Sequence, residues 1–382
     1  MGSSALEGVR VLDFTALVQG PMDTQILGDL GADVIKFERE EGEWSRHWGI
    51  GNGRTHGEVD SFLAFNRNKK SVAVDLKAPE VRSAIFKLLE SADVVIENFR
   101  PGVMDRLGYG YEDLRKVNPK IVYACSSGWG QTGPYHDRPG QDMLAQAMSG
   151  LIQLSGQQGN PPIGMGVGLV DLYSGMHLVV GILAALLYRA RSGEGQRIEV
   201  DLFSCATALQ QQELTYYLSH EYLPERPDRN TTSRFVTAPF GIYPVADGHI
   251  VIAMTPCPLL ARAIDIPEIA AFDTNELMLE HRTYIYDAVA KRVSTLTKDY
   301  VISALLEHDV WCAPVQDYEA LLADPQFAHN GLVWNVPIGE NGPEYRTVAS
   351  PISMSVTPPA VRYGAPRLGE HTREVLGAEL GA

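Results

Sequence analysis

The sequence predicts an α/β protein: a Rossmann-like open parallel sheet with a smaller α+β domain inserted between its two ends. Short apolar segments typical of buried strands alternate with helical segments along the first half of the chain. The first two strand segments are separated by a single helix, and such a short crossover favours a parallel pair. A length of 382 residues, 45% apolar and 21% charged, suits a globular protein of two or three units.

The strands and helices of the sheet are predicted from apolar runs bounded by polar residues or glycine. The first strand covers residues 9–14, followed by a helix that starts on Pro21 and ends at Gly31, and then by a second strand over 33–37. Further strands are predicted at 71–75, 93–97, 121–126 and 196–202, with helices at 79–90, 111–117 and 202–220.

A polar stretch rich in proline, EYLPERPDRNTTSR (221–234), marks the start of the smaller domain. Segments 240–245 and 249–253 flank Ala246-Asp247-Gly248, which is typical of a hairpin, and helices follow at 280–295 and 298–308. The predicted domains are therefore 1–221, a small domain at 222–315, and a return segment at 316–382 that completes the large domain. A strand is expected at 331–336 in that return segment.

Composition excludes several classes of partner. The formal net charge of −15 argues against nucleic acid and against an anionic membrane as partners, although a local basic pocket remains compatible with it. The four cysteines are too far apart for a zinc motif or a disulfide framework. The N-terminus MGSSALEG has no signal-peptide pattern, and the apolar run 176–188 is shorter than the roughly 20 residues of a membrane span. We expect a cytoplasmic protein without a membrane segment.

Asp171 stands at the start of a long apolar helix, after the glycines Gly164, Gly166 and Gly168. A carboxylate at this position is most often an N-cap that accepts backbone N–H groups. It could also be a nucleophile, because the glycines allow close approach of a substrate and the helix-start amides could stabilise an oxyanion. The two roles do not exclude each other. An ordinary carboxyl pKa would keep Asp171 anionic at neutral pH.

Ligands of an open parallel sheet bind beyond the carboxyl ends of its strands. Polar clusters follow three of the predicted strands: Gln19-Gly20-Pro21, Glu38-Arg39 and residues 98–102. The arginines nearest to these loops, whose forked donors suit phosphate oxygens, are Arg39, Arg100, Arg106 and Arg138. A surface position is the alternative for each. The sequence has neither GxGxxG after the first strand nor a phosphate loop, which argues against a nicotinamide or P-loop nucleotide, and it has no metal-ligand motif.

Two further residues have competing interpretations. Trp48 fits either the core or the wall of an acyl pocket. Asp142 is expected to cap the helix that follows it rather than to take part in catalysis.

Eight segments in fixed order resemble the class III CoA-transferase family, which includes formyl-CoA, carnitine and bile-acid CoA-transferases. They are LEGVRVLDFT, LVQGP, LGDLGADVIKFER, NRNKKSVAVDLK, ADVVIENFRPGVMDRLG, SGWGQTGPYHDRPGQDMLAQAMSG, GLVDLYSGMHLVVGILAALLYR and LGEHTREVL. The resemblance spans nearly the whole chain. It implies a Rossmann-like large domain made from both chain ends, and an intertwined homodimer in which two ring-like chains interlock.

The resemblance also implies a mechanism. Asp171 matches the family's nucleophile, which forms an aspartyl-acyl anhydride and then an aspartyl-CoA thioester while CoA moves from an acyl-CoA donor to a free carboxylic acid. Gln19 matches a residue of the acyl pocket and Trp48 an aromatic of the acceptor site. Arg39, Asn98, Phe99, Arg106 and Arg138 match positions that bind CoA. Coenzyme A is then a substrate, and no metal or permanently bound cofactor is expected.

Two departures from the family bear on the reaction. The related racemases have a histidine where this chain has Gln141, beside Asp142, and an amide cannot exchange a Cα proton. The resemblance implies that Gln141 and Asp142, with Trp48, belong to the substrate pocket. The glycine-rich small-domain loop of formyl-CoA transferase has no counterpart here, so the acceptor need not be oxalate or formate. An acyl-CoA racemase and a non-catalytic CoA-binding dimer remain the alternatives.

Overall fold

The computed structural model describes residues 4–231 and 233–380, with side chains to 377. This part of the chain forms two compact units. The first comprises the residues up to 148, then 166–208, and those from 329 onward; the second comprises 149–165 and 209–328. The second unit is larger than the predicted 222–315. Segment 149–165 joins it because Arg226 and Arg234 both donate hydrogen bonds to the carbonyl oxygen of Gln153.

The strands, in chain order, are β1 (Arg10–Asp13), β2 (Asp33–Glu38), β3 (Arg54–Thr55), β4 (Glu58–Val59), β5 (Lys69–Ala73), β6 (Val94–Glu97), β7 (Val122–Ser127), β8 (Gln196–Asp201), β9 (Gly241–Val245), β10 (Gly248–Ile252), β11 (Cys312–Pro314), β12 (Val333–Pro337) and β13 (Glu344–Val348). The α-helices are α1 (Gln19–Asp29), α2 (Asp60–Phe65), α3 (Pro79–Leu89), α4 (Val103–Leu107), α5 (Tyr111–Val117), α6 (Asp142–Met148), α7 (Leu151–Leu154), α8 (Leu169–Ser192), α9 (Leu202–Ala208), α10 (Gln211–His220), α11 (Cys257–Ala263), α12 (Asn275–Glu280), α13 (Arg282–Val293), α14 (Lys298–Leu306), α15 (Tyr318–Ala323), α16 (Pro325–His329) and α17 (Thr372–Leu380).

The first unit is built on a six-stranded parallel sheet of order β5-β2-β1-β6-β7-β8. Counting only the strands of this sheet, the order is 3-2-1-4-5-6, which is that of doubly wound nucleotide-binding folds. The predicted parallel α/β sheet is confirmed. The order reverses between β1 and β6, where Val11 pairs with Val34 on one side and with Val94 on the other.

Alternate residues of the strands enter two separate cores, one on each face of the sheet. Val11 and Val34 pack with Leu178 and Ile182 of α8 on one face. On the other face Leu12 belongs to a core that also contains side chains of α3, α5 and α17. This period-two division is what buries both faces of a parallel sheet.

Three predicted elements differ in detail. Helix α1 starts at Gln19, before Pro21, because the first turn of a helix needs no backbone N–H donors and so accepts proline at several positions. The single helix predicted over 202–220 is two helices, α9 and α10, interrupted at 209–210. The strand predicted at 331–336 is β12, which pairs with β13 in a separate two-stranded sheet.

The second unit contains an antiparallel sheet of order β11-β10-β9 with α11, α13 and α14 around it. The predicted hairpin is confirmed, since Gly248 pairs with Val245 and Ile252 with Gly241.

Helix α8 is long and apolar enough to cross a membrane, with a mean hydropathy of 1.8. The sequence had predicted no segment of that length and composition. Length and composition alone are weak evidence, because the core helices of globular proteins have the same properties. Here Leu178, Val179 and Ile182 of α8 are buried in the core of the first unit.

Candidate active site

A cavity of about 170 Å³ opens at the carboxyl ends of β1, β6 and β7, where the strand order reverses. This is the position at which open α/β sheets bind ligands. Its walls come from the loops after these strands and from the start of α8: Leu17, Val18, Gln19, Asn98, Phe99, Arg100, Pro101, Ser126, Ser127, Gly128, His136, Arg138, Pro139, Gly140, Gln141, Asp171 and Leu202.

Asp171 lines this cavity from the first turn of α8, but it is not the N-cap of that helix. The cap residue is Gly168, which has no side chain, and the capping carboxylate comes from Asp142. Asp142 Oδ2 accepts hydrogen bonds from the backbone N–H groups of Val170 (2.7 Å) and Asp171 (3.0 Å). The capping alternative for Asp171 is therefore wrong. Asp142 was expected to cap the helix that follows it, but it is the first residue of that helix, α6, and its Oδ2 caps α8 instead.

The first backbone N–H groups of α8 are all occupied. Those of Val170 and Asp171 donate to Asp142, Leu169 donates to the carbonyl of Val167 (2.7 Å), and Leu172 donates to that of Gly168 (3.0 Å). The hypothesis that these amides form an oxyanion hole is therefore wrong, because none of them has a proton left for a substrate oxygen.

The pKa of Asp171 is not that of an ordinary carboxyl group. Burial, and to a smaller extent the negative charge of Asp142, raise the pKa of Asp171 to about 7. At neutral pH the side chain is therefore divided between its acid and its carboxylate form, in contrast to the fully ionised group expected.

Gln19 connects α1 to the residues around Asp171. Its Nε2 donates to the hydroxyl of Ser126 at the end of β7 and to that of Ser174 on α8 (2.8 Å). The Ser174 hydroxyl in turn donates to the carbonyl oxygen of Asp171 (3.0 Å). Both donors of the Gln19 amide are thus used within the protein.

Gln141, which was predicted for the substrate pocket, lines this cavity, whereas Asp142 is not among its lining residues. Several other lining residues were not predicted, above all Ser126, Ser127, Pro139 and Gly140. Ser126 and Ser127 lie at the end of β7, and the strand-end rule selects them only once β7 is known to pair with β6. The segment 139–141 reaches the end of β7 because two glycines meet there: a Cβ on Gly128 would lie 2.4 Å from the Cα of Gly140. Only glycine at both positions permits this backbone contact.

The predicted CoA-binding residues divide into two groups. Asn98, Phe99 and Arg138 line the cavity, and so does Arg100, which was not in the predicted CoA-binding set but was one of the arginines expected near the strand ends. The Asn98 carboxamide is already paired with the backbone of Ala16, through one hydrogen bond to its N–H and one to its carbonyl, both 2.9 Å. The Arg138 guanidinium lies 3.9 Å from the centre of the Tyr135 ring.

Arg39 and Arg106 lie outside this cavity. Arg39 follows β2, its side chain is 79% exposed, and it lies 3.9 Å from Glu41. Arg106 is in the last turn of α4. Trp48 also lies outside the cavity: it is 54% exposed and stacks on Trp44, with ring centres 5.7 Å apart, so it is not a core residue.

A second cavity, of about 270 Å³, shares no lining residue with the first and includes Glu340 and His371. Glu340, His371 and Glu374 lie close enough together to hold a metal ion. The Nδ1 atom of His371 accepts a hydrogen bond from the backbone N–H of Ser71 (3.3 Å), so the neutral ring carries its proton on Nε2 and has no free lone pair for a metal. These residues do not fit a metal site.

Comparison with known proteins gives the family of the chain. Residues 6–372 match the model of CoA-transferase family III. The chain is 35% identical to succinate–glutarate CoA-transferase of Agrobacterium fabrum, over 98% of this chain and 95% of the other. It is 34% identical to formyl-CoA:oxalate CoA-transferase of Streptomyces avermitilis, over 99% and 96%. Its fold is similar to the crystal structure of a CAIB/BAIF family protein from Brucella suis, with a TM-score of 0.86 at 30% identity over the whole of both chains.

The protein is a transferase enzyme, in agreement with the resemblance in its sequence motifs. More specifically, the chain belongs to CoA-transferase family III, whose substrates are acyl-CoA thioesters and carboxylic acids.

Proposed function

We propose that the protein moves CoA from an acyl-CoA donor to a carboxylic acid through covalent intermediates on Asp171. The observation that carries this proposal is the position of the Asp171 carboxyl group, which lines the cavity at the reversal point of the sheet. Because its pKa is about 7, its carboxylate is more basic than that of an ordinary aspartate and correspondingly more nucleophilic.

The reaction proceeds in two symmetrical halves. A carboxylate oxygen of Asp171 attacks the donor thioester carbonyl, so that a mixed anhydride forms and the C–S bond to CoA breaks. The released CoA thiolate attacks the aspartyl carbonyl, which gives an aspartyl-CoA thioester and the free donor acid. The acceptor carboxylate then attacks this thioester, which forms a second mixed anhydride and expels the CoA thiolate. The thiolate finally attacks the acceptor acyl carbonyl, so that the new acyl-CoA forms and the Asp171 carboxylate leaves.

The cavity offers cations for an anionic substrate. Two guanidinium groups, those of Arg100 and Arg138, line it, and the net charge of the chain is otherwise strongly negative. We assign Arg100 and Arg138 to the phosphates of CoA, because guanidinium groups bind phosphate oxygens in pairs. Asn98 contributes by holding its loop, since its carboxamide is paired with Ala16. Arg39 and Arg106 lie outside this cavity, so they would bind only those parts of CoA that extend beyond it.

Dicarboxylic acids are the substrates that we favour, because the relatives are named for succinate, glutarate and oxalate. Racemisation is disfavoured. The cavity contains Gln141 where the racemases have histidine, and both ring nitrogens of His136 are engaged, Nδ1 with the carbonyl of Gly133 (2.9 Å) and Nε2 with the carboxylate of Asp137 (3.2 Å).

The proposed assembly is a homodimer. Helix α8 exposes Met176, Val180, Leu187 and Tyr188, with Val180 61% and Leu187 63% exposed, along the side that faces away from the sheet. An apolar stripe of this length on one helix is typical of an interface between chains. Interlocking of the two chains belongs to the same proposal.

The test is transfer of CoA from succinyl-CoA to isotope-labelled glutarate, oxalate or a monocarboxylic acid, followed by chromatography. We expect transfer with the dicarboxylic acids, and none with Asp171→Asn. The surface variant Asp113→Asn, remote from the cavity, serves as the matched control. Transfer by Asp171→Asn at the wild-type rate would refute the role of Asp171, and proton exchange at the α-carbon without any acceptor acid would replace transfer by racemisation.

A further inference from the structure

The loop between β1 and α1 has a backbone conformation that is unfavourable for its sequence. Leu17 has a φ angle of +71°, in the left-handed region that leucine seldom adopts, and its side chain lines the cavity that contains Asp171. A non-glycine residue in this conformation is strained and persists only where its surroundings hold it.

The two residues that precede Leu17 are held by hydrogen bonds from side chains elsewhere in the chain. Asn98 pairs with both backbone groups of Ala16. The ammonium group of Lys36, which is completely buried on β2, donates to the carbonyl oxygen of Thr15 (2.7 Å).

The backbone N–H of Leu17 itself donates to Glu43 Oε2 (3.2 Å). The Glu43 carboxylate, nearly buried, also accepts from the N–H (2.9 Å) and the hydroxyl (2.6 Å) of Ser45, and it lies 3.8 Å from Lys36 Nζ. One carboxylate thus connects the Leu17 turn to the short 3-10 helix Trp44–Arg46.

The conformation of Leu17 determines the position of Gln19, two residues further along the chain. Val18 precedes α1, and Gln19 is its first residue, so the direction of the chain at Leu17 sets where the Gln19 side chain begins. Gln19 reaches Ser174, whose hydroxyl bonds the carbonyl oxygen of Asp171. Gly20 packs closely against Thr15, since a Cβ at position 20 would lie 2.4 Å from the Thr15 side chain.

We propose that Glu43 is a positioning residue for the transfer reaction: by holding Leu17 in the left-handed conformation it fixes Gln19 against Ser174 and Asp171. Glu43 itself does not line the cavity, and it acts through the Leu17 backbone. This inference rests on the proposed function, because it assigns a role relative to the nucleophile.

The test compares Glu43→Gln with Leu17→Gly and with the double variant. Glutamine keeps the size of the side chain but loses the charge and puts an NH2 group in place of one oxygen, so the hydrogen bond from the Leu17 N–H weakens, Leu17 relaxes toward negative φ and Gln19 moves. Since a misplacement of about 1 Å can cost about 100-fold in rate, we expect Glu43→Gln to lower kcat by about 10- to 100-fold, with little change in KM for acyl-CoA. Glycine adopts positive φ freely, so Leu17→Gly is expected to restore most of the lost kcat in the Glu43→Gln background.

Two controls separate positioning from folding. Ser45→Ala removes the hydrogen bond from the Ser45 hydroxyl to Glu43 and leaves the bond from the Leu17 N–H in place. Its kcat should remain essentially that of the wild type. Asparagine also tolerates positive φ, and unlike glycine it has a side chain. Leu17→Asn should therefore restore kcat in the Glu43→Gln background as Leu17→Gly does. Rescue is evaluated as a ratio within the double-mutant cycle, so that any loss caused by the Leu17 variant alone cancels.

An unchanged kcat in Glu43→Gln, or a loss that neither Leu17 variant restores, would overturn the inference. The wild-type enzyme is first tested for covalent labelling of Asp171 by acyl-CoA. If labelling succeeds and the rescue fails, only the role of Glu43 is refuted; if labelling fails in the wild type, it is the proposed function that fails.

Discussion

The carboxylate of Asp142 lies 3.0 Å from the backbone nitrogen of Asp171 and accepts its proton in a hydrogen bond. The same carboxylate also accepts from Val170, so it caps α8 from outside the helix. Its negative charge is favourable at the positive end of the helix, but it is unfavourable for ionisation of the neighbouring Asp171 side chain. Stability of the helix start and the reactivity of Asp171 therefore depend on one group.

The pH dependence of the first chemical step follows from this arrangement. Asp171 must be deprotonated to attack, and burial together with Asp142 raises its pKa to about 7. The rate of Asp171 acylation should therefore rise with pH to a plateau, with its midpoint near that value. Asp142→Asn removes the charge but keeps one acceptor oxygen, so the midpoint should move to lower pH.

Stopped-flow measurement of thiolate release in a single turnover gives the midpoint. Asp142→Glu, which keeps the charge, is the control, and a midpoint that is the same in Asp142→Asn and the wild type would contradict the prediction.

Asp23 predicts a pH-dependent loss of stability. It is completely buried on α1, and among the described residues neither of its carboxyl oxygens has a hydrogen-bond partner. Burial, with a smaller contribution from Asp13, raises the pKa of Asp23 well above its ordinary value. The folded state therefore retains a proton that the unfolded state loses, and stability falls as pH rises above the unfolded pKa.

The variant Asp23→Asn removes this titration. Its Tm relative to the wild type should increase between about pH 5 and about pH 8, as measured by scanning calorimetry. Asp113→Asn, an exposed aspartate, provides the control. A constant difference in Tm across this range would show that Asp23 is ionised in the folded protein.

A side chain at position 175 is expected to clash with Asp23. A Cβ at Gly175 would lie 2.3 Å from Asp23 Oδ1 and 2.6 Å from Met22 Cε, so Gly175→Ala should destabilise the contact between α1 and α8 by about 1–3 kcal/mol. In the Asp23→Ala background only the flexible end of the Met22 side chain has to move, so Gly175→Ala should cost less there, offset by the higher helix propensity of alanine, about 0.5–1 kcal/mol. Urea unfolding of the four proteins gives the coupling, and equal effects of Gly175→Ala in both backgrounds would contradict this contact.

The exposed face of α8 predicts an effect on assembly. Val180→Glu and Leu187→Glu place charges on the apolar stripe without entering the core of the first unit, since both side chains are more than half exposed. We expect the wild type to sediment as a dimer and the variants to shift toward monomer in analytical ultracentrifugation. Arg191→Glu, at the polar end of the same helix, is the control. A monomeric wild type would refute the proposed homodimer.

The sheet was predictable from sequence because its strands are short apolar runs with polar ends, a local property. The position of Asp171 at the start of a long helix was predictable for the same reason. Its cap was not, because Asp142 lies 29 residues away in sequence and only the fold brings it to α8. The raised pKa of Asp171 was missed for a related reason, since burial is a property of the folded chain.

The order of the strands explains why the predicted position of Arg39 at the cavity was wrong. Arg39 follows β2, as Arg100 follows β6, and the local sequence gives both the same position at a strand end. In the sheet, β2 lies on the far side of β1 from β6, so Arg100 lines the cavity and Arg39 does not. Local sequence contains no information about this order. Ser126 and Ser127 became visible as site residues only when β7 was placed beside β6.

Covalent labelling of Asp171 tests the central claim most directly. The protein is mixed with acyl-CoA in the absence of an acceptor acid, trapped with hydroxylamine, and digested for peptide mass spectrometry. The account predicts a hydroxamate on the peptide that contains Asp171, absent from Asp171→Asn and present in Asp113→Asn. An unlabelled Asp171 peptide from an enzyme that still transfers CoA between the same substrates would contradict it.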